Sequence, residues 1–99
     1  MARRILPDNE IAQHLVSLPG WEHQDGALVQ TFAFPGFPQA MEFVNAVAET
    51  AEAVQHHPDI DIRYTEVTLR YATHDSGGIT QADIDAAASV QGIADAVRG

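Results

Sequence analysis

The sequence predicts an α+β fold: a four-stranded antiparallel sheet with three helices packed on one face, in the order α-β-β-α-β-β-α. Three observations carry this expectation. Apolar residues recur at steps of three and four in three separate stretches, the period of an amphipathic helix. Between them, apolar and polar residues alternate, the period of a half-buried strand. The alternating stretches also come as adjacent pairs with short links, which suits hairpins rather than parallel crossover units. Ninety-nine residues with 45% apolar content make one domain, 1–99, because a second core would leave each half too short to bury enough surface.

Taken in order, Pro7-Asp8-Asn9-Glu10 starts the first helix, with acidic side chains at the positive end of the helix dipole and Ile11, Leu15 and Leu18 at helical spacing. Leu18-Pro19-Gly20 stops it. Trp21 to His23 and Ala27 to Phe34 flank Gln24-Asp25-Gly26, where Asp-Gly supplies the turn chemistry of an antiparallel hairpin. Pro35, Gly36 and Pro38 break the pattern. From about Gln39, Met41, Val44, Ala48, Ala51 and Val54 mark a long central helix, expected to end at His56 or His57, since the residue before Pro58 is disfavoured in the helical region. Ile60, Ile62 and Tyr64, then Val67, Leu69 and Tyr71, alternate with polar neighbours as two half-buried strands linked at Thr65-Glu66. After the Asp75-Ser76-Gly77-Gly78 loop, Thr80 and Asp83 resemble a capping box ahead of a last helix that carries Ile84, Ala87, Ala88, Ile93 and Val97.

Composition narrows the function classes. Fourteen acidic residues against five Lys plus Arg give a formal net charge of −9, which repels phosphate backbones and anionic lipid, so neither nucleic acid nor membrane is an expected partner. With no cysteine there is no disulfide framework, thiolate nucleophile or sulfur-based zinc site. Polar residues at Pro7-Asp8-Asn9-Glu10 interrupt the N-terminal region before any long apolar run, and a cytoplasmic protein is expected. A chain of this size hides only about 65% of its unfolded surface, so assembly with copies of itself is expected too.

The five histidines are the functional lead, since imidazole exchanges a proton near neutral pH. Glu52 and His56 lie four apart on the predicted central helix, which would stack them one turn apart on one face. A carboxylate beside an imidazole, together with the negative end of the helix, suits that histidine to hold a proton and act as an acid. His57 should point elsewhere because Pro58 redirects the chain. His74 follows the last strand at the mouth of a glycine-bearing loop, with parity opposite to Val67, Leu69 and Tyr71. A return of that strand beside the central helix would bring three imidazoles to one cleft, with Asp83 nearby. The same residues also admit plainer readings. A His-His pair before proline can be a solvated helix end, and imidazoles with carboxylates form a ligand set that zinc or nickel accepts. Consecutive histidines at a helix end diverge, however, and no His-x-x-x-His spacing is present, so no metal is expected. His14 and His23 have no partner pattern. Trp21, Phe32, Phe34 and Phe37 read as core or interface.

Glu52, His56-His57-Pro58, Tyr64, His74 and Asp83, with three, five, nine and eight residues in the gaps, form a pattern that is similar to the signature of the pterin-4a-carbinolamine dehydratases. Gly20-Trp21, Phe32-Ala33-Phe34, Val67-Thr68-Leu69, Thr73-His74 and Gly77-Gly78-Ile79-Thr80 extend the similarity over about residues 20 to 90. Gln55 stands where that family often has Asn, Ile60 where many members have an aromatic, and Thr65-Glu66 where Asn and a basic residue are frequent. The resemblance implies the same four-stranded, three-helix fold, assembly as a homodimer or homotetramer with sheets joined across subunits, and a reduced pterin as substrate. It further implies dehydration of 4a-hydroxytetrahydropterin to quinonoid dihydropterin without a cofactor. In this carry-over His56 and His74 are the acids, His57 joins the catalytic set by binding and orienting the pterin, and Glu52 and Asp83 complete the substrate side. Glu52 would tune His56, while a helix-cap role accounts for Asp83 equally well. The resemblance also admits a non-enzymatic scaffold that serves as a dimerisation or assembly cofactor for other proteins.

Overall fold

The computed structural model describes residues 3–99, in the order α1 (Asp8–Leu15), β1 (Glu22–Gln24), β2 (Ala27–Ala33), α2 (Phe37–Val54), β3 (Asp59–Arg63), β4 (Glu66–Tyr71) and α3 (Gln81–Arg98). The strands form one antiparallel sheet in the order β1-β2-β4-β3. Gln24 pairs with Ala27 across a two-residue turn whose residues, Asp25 and Gly26, both have positive φ, the geometry in which hairpin strands keep their twist. Gly20, in the turn between α1 and β1, has φ +88°, a left-handed conformation that favours glycine.

The sheet puts Leu28 and Phe32 of β2 and Val67, Leu69 and Tyr71 of β4 on the face covered by helices. Phe32 and Phe34 pack against Phe43 of α2 at 4.9 Å between ring centroids. Alternation therefore locates the buried face of β4 correctly, whereas β3 is exposed along its whole length. The helical layer packs over β2 and β4, and β3 is the outer strand beyond it, so Ile60 and Ile62 stay more than a third exposed rather than half-buried.

The phase of α2 also differs from the expectation. Ala40, Phe43, Val47 and Ala51 are its buried residues; of the expected Met41, Val44, Ala48, Ala51, Val54 stripe, Ala51 is buried, the first three lie one position from a buried residue, and Val54 is 57% exposed. Small apolar residues surround most of this helix, so periodicity leaves its rotation open and the bulky Phe43 decides it. In α3, Val90 and Ala94 take core places, while Ala88 is exposed. Its far end is fastened by Arg98, which donates from Nε to the Ala33 carbonyl and lies 5.1 Å over the Phe34 ring. The hairpin link is Tyr64-Thr65, since Arg63 pairs with Glu66; Tyr64 has φ +54° and stacks on Phe37 instead of continuing the strand.

Candidate active site

The geometry begins at the end of α2. The helix stops at Val54, two or three residues before the expected end, because Gln55 adopts the left-handed conformation at φ 54°. The next N–H, of His56, bonds back to the Ala51 carbonyl at 3.1 Å, the six-residue closure of a Schellman-type cap. Gln55 also donates from its amide side chain to the Glu52 carbonyl. This reversal takes His56 off the helix surface, and it is buried at 8% exposure.

Its partner is therefore not Glu52. His56 Nε2 lies 2.5 Å from Asp83 Oδ1, across 27 residues of chain, in a pair whose carboxylate is fully buried. Asp83 is held from the other side by the start of α3. Thr80 caps that helix in a capping box, and its own N–H donates to Asp83 Oδ2 at 2.9 Å. Thr73 Oγ1 donates to the same oxygen at 2.8 Å and lies 2.8 Å from Thr80 Oγ1. A carboxylate only accepts, so the His56 nitrogen facing it carries the hydrogen, and Nδ1 is left as the nitrogen free to exchange one.

Glu52 instead meets His57, whose Nε2 lies 2.5 Å from Glu52 Oε2, both side chains being more than half exposed. The i,i+4 rule fails because the helix has already ended and the chain has turned. His74 is exposed, as expected, but the three imidazoles do not line one cleft. His56 opens with Tyr71 onto a cavity of about 550 Å³ between α2 and α3. His74 opens onto another of about 330 Å³, bordered by the Asp25-Gly26 turn, Asp59 and Arg70. His57 lines neither of these two. Among the described residues, no three His, Asp or Glu side chains are grouped closely enough to hold a metal ion, and no helix is long and apolar enough to cross a membrane.

Two contributors were not singled out from the sequence for a role at the site. Tyr71 stacks on the His56 ring at 6.2 Å between centroids and 15° between planes, and also packs against Trp21 at 5.9 Å in a tilted contact. Burial, and secondarily the Asp83 charge, push its phenol up to about 12. Thr73 is the other; its place before His74 was visible, but its contact ten residues on to Asp83 had no local signal.

The family model described as "Pterin 4 alpha carbinolamine dehydratase" matches residues 4–93. A relative from Thermomicrobium roseum is 56% identical over 85% of this chain and 88% of its own. One from a Roseiflexus species is 50% identical over 94% of this chain and 99% of its own. Both are pterin-4-alpha-carbinolamine dehydratases by name. Among solved structures, the transcriptional coactivator/pterin dehydratase from Brucella melitensis superposes with a TM-score of 0.89 at 33% identity, over 92% of this chain and 99% of that one. A pterin dehydratase-like protein, identified as a RuBisCO assembly factor in the alpha-carboxysome, gives 0.62 at 27% identity over 75% of this chain and 86% of that one. With its four-stranded sheet, three helices and the His56–Asp83 pair in place, the chain belongs to the pterin 4 alpha carbinolamine dehydratase family.

Proposed function

We propose that this protein is a hydro-lyase that dehydrates a 4a-hydroxytetrahydropterin to the quinonoid dihydropterin, in the recycling of a reduced pterin in the cytoplasm. The observation that carries the reading is the buried His56–Asp83 pair, in a chain whose family and relatives bear this activity in their names. An acid delivers a proton to the 4a hydroxyl, the C4a–O bond breaks as water leaves, and the N5 lone pair forms the C4a=N5 bond. The N5 proton then passes to an imidazole, so one proton is given and one taken back. Both are transfers that imidazoles perform near neutral pH.

The geometry supports the following roles. Asp83 holds His56 by Nε2 and leaves Nδ1 as the working nitrogen, in the way an orienting carboxylate fixes the tautomer of a catalytic histidine. His56 and His74 are the proton-handling pair. On this reading one serves the leaving hydroxyl and the other the N5 proton, although in the isolated chain they border different cavities. His57, held by Glu52, binds and orients the pterin, so Glu52 acts through His57 rather than through His56. Asp83 acts through His56 rather than by touching substrate.

The protein functions as a homo-oligomer on this reading, with β3 as the joining edge. That strand is an outer edge of the sheet and offers unpaired backbone groups together with partly exposed Ile60 and Ile62. A second reading, an assembly or coactivator scaffold, is favoured only by the names of the two structural neighbours. Stopped-flow measurement of the dehydration of synthetic 4a-hydroxytetrahydropterin separates the two. An enzyme accelerates the step well beyond its spontaneous rate, and a scaffold leaves it unchanged.

A further inference from the structure

Thr73 is buried, yet its hydroxyl is committed to polar partners on both sides. The direction of each hydrogen bond follows from the donor inventory. Asp83 Oδ2 accepts, so the single Thr73 hydroxyl hydrogen points to it at 2.8 Å. Thr73 Oγ1 must then accept from Thr80 Oγ1, also at 2.8 Å, and Thr80 Oγ1 in turn accepts from the Ala82 N–H at 3.3 Å. The result is a one-way chain from the start of α3 through Thr80 and Thr73 to Asp83, with His56 Nε2 donating into the other carboxylate oxygen.

The backbone of Thr73 performs a second task. Its N–H bonds to the Gly78 carbonyl at 2.9 Å, and its carbonyl accepts from Ser76 and Gly77, which closes the loop that carries His74. Successive residues of an extended segment project to opposite sides, so Thr73 sends its hydroxyl to Asp83 while His74 turns outward. Thr73 itself borders the His74 cavity, and the carboxylate it grips holds the histidine of the other cavity. One residue is thus bonded by its side chain to the carboxylate that holds His56 and by its main chain within the loop that carries His74.

We propose that Thr73 is a positioning residue that sets His56 through its hydroxyl on Asp83 and His74 through its backbone in the loop, so that the two proton-handling groups keep a fixed relation. The claim about His56 geometry stands on the hydrogen-bond chain alone, whereas its catalytic consequence rests on the dehydratase reading above. Hydrogen bonds to a buried carboxylate are among the stronger ones, and the groups that orient metal-ligating histidines, the nearest analogue, typically matter by about 10–100-fold.

The test compares Thr73→Val, which keeps the shape and removes the hydroxyl, with Thr73→Ser, which keeps the hydroxyl. Two readouts are needed: the His56 Nε2–H resonance in ¹⁵N-labelled protein, and kcat and KM for 4a-hydroxytetrahydropterin. The valine variant is expected to lose or broaden the His56 Nε2–H resonance and to lower kcat about tenfold with KM little changed, and the serine variant to restore both. Thr73→Ala carries the same expectation, so a valine variant that does not fold leaves the comparison intact. A His56 resonance unchanged in the folded hydroxyl-free variant, or a serine variant as impaired as the valine one, overturns the positioning role. If wild type shows no turnover, the dehydratase reading falls, and the resonance alone decides whether Thr73 positions His56.

Discussion

Replacing Asp83 with asparagine separates the structural from the chemical work of this carboxylate. Asp83 accepts from Thr73 Oγ1 and from the Thr80 N–H on one oxygen and from His56 Nε2 on the other. Asparagine has one oxygen and one amide group. If the oxygen stays with Thr73 and Thr80, the amide hydrogens face His56 Nε2, and the imidazole must become an acceptor there. Hydrogen bonds to a charged group contribute about 1.5–3 kcal/mol and neutral ones about 1, so exchanging three of the former for three of the latter costs about 1.5–6 kcal/mol. A small domain is stable by about 5–15 kcal/mol, so Asp83→Asn is expected to fold with a lower urea midpoint. Alanine would instead strand three buried donors at about 1–3 kcal/mol each, enough to approach the whole stability of the domain. Urea denaturation gives the energy, and long-range ¹H–¹⁵N correlation gives the His56 tautomer, expected to pass from Nε2–H to Nδ1–H with loss of dehydration activity. A variant within about 0.5 kcal/mol of wild type that keeps Nε2–H would refute the assigned network.

Three further outcomes follow from positions outside that network. Gln55→Gly relieves the left-handed φ at the end of α2 and should stabilise by about 1 kcal/mol in urea denaturation, while Gln55→Ala gains nothing, because the penalty belongs to Cβ. Tyr71 carries the pH dependence: its folded value of about 12 lies above the ordinary 10, so its contribution is fully present below pH 10 and lost as pH rises toward 12. Tyr71→Phe should flatten that alkaline loss, as followed by denaturant midpoints across the range. If β3 joins subunits as proposed, wild type should scatter as an oligomer and Ile62→Asp, on the exposed edge strand, as a monomer with its fold intact by circular dichroism.

Much of the fold was legible in the chain because its cues are local. Asp25-Gly26 encodes a turn with two positive φ angles and Thr80-x-x-Asp83 announces the start of α3, whereas α1 ends at Leu15, three residues before the expected stop at Leu18-Pro19-Gly20. The rotation of α2 was not legible, since alanine, valine and methionine on several faces give the period without its phase. The exposure of β3 follows from strand order, which alternation does not encode. At the site, the residue types were visible but their pairing was not. Spacing placed Glu52 with His56, yet one glutamine in the left-handed region ends the helix early and turns His56 inward to Asp83. That partnership depends on α3 returning beside the end of α2, a tertiary contact with no signal in either segment. Glu52 was left for His57, which the helix end exposes.

The central claim is that His56, held by Asp83, and His74 carry the protons of the dehydration. The direct measurement is the rate at which metal-stripped protein dehydrates synthetic 4a-hydroxytetrahydropterin, for wild type, His56→Ala and His74→Ala. Turnover well above the spontaneous rate in wild type, falling by about 10²-fold or more in each variant, is the predicted result. Wild-type turnover no faster than the spontaneous reaction, or full activity in both variants, would contradict it.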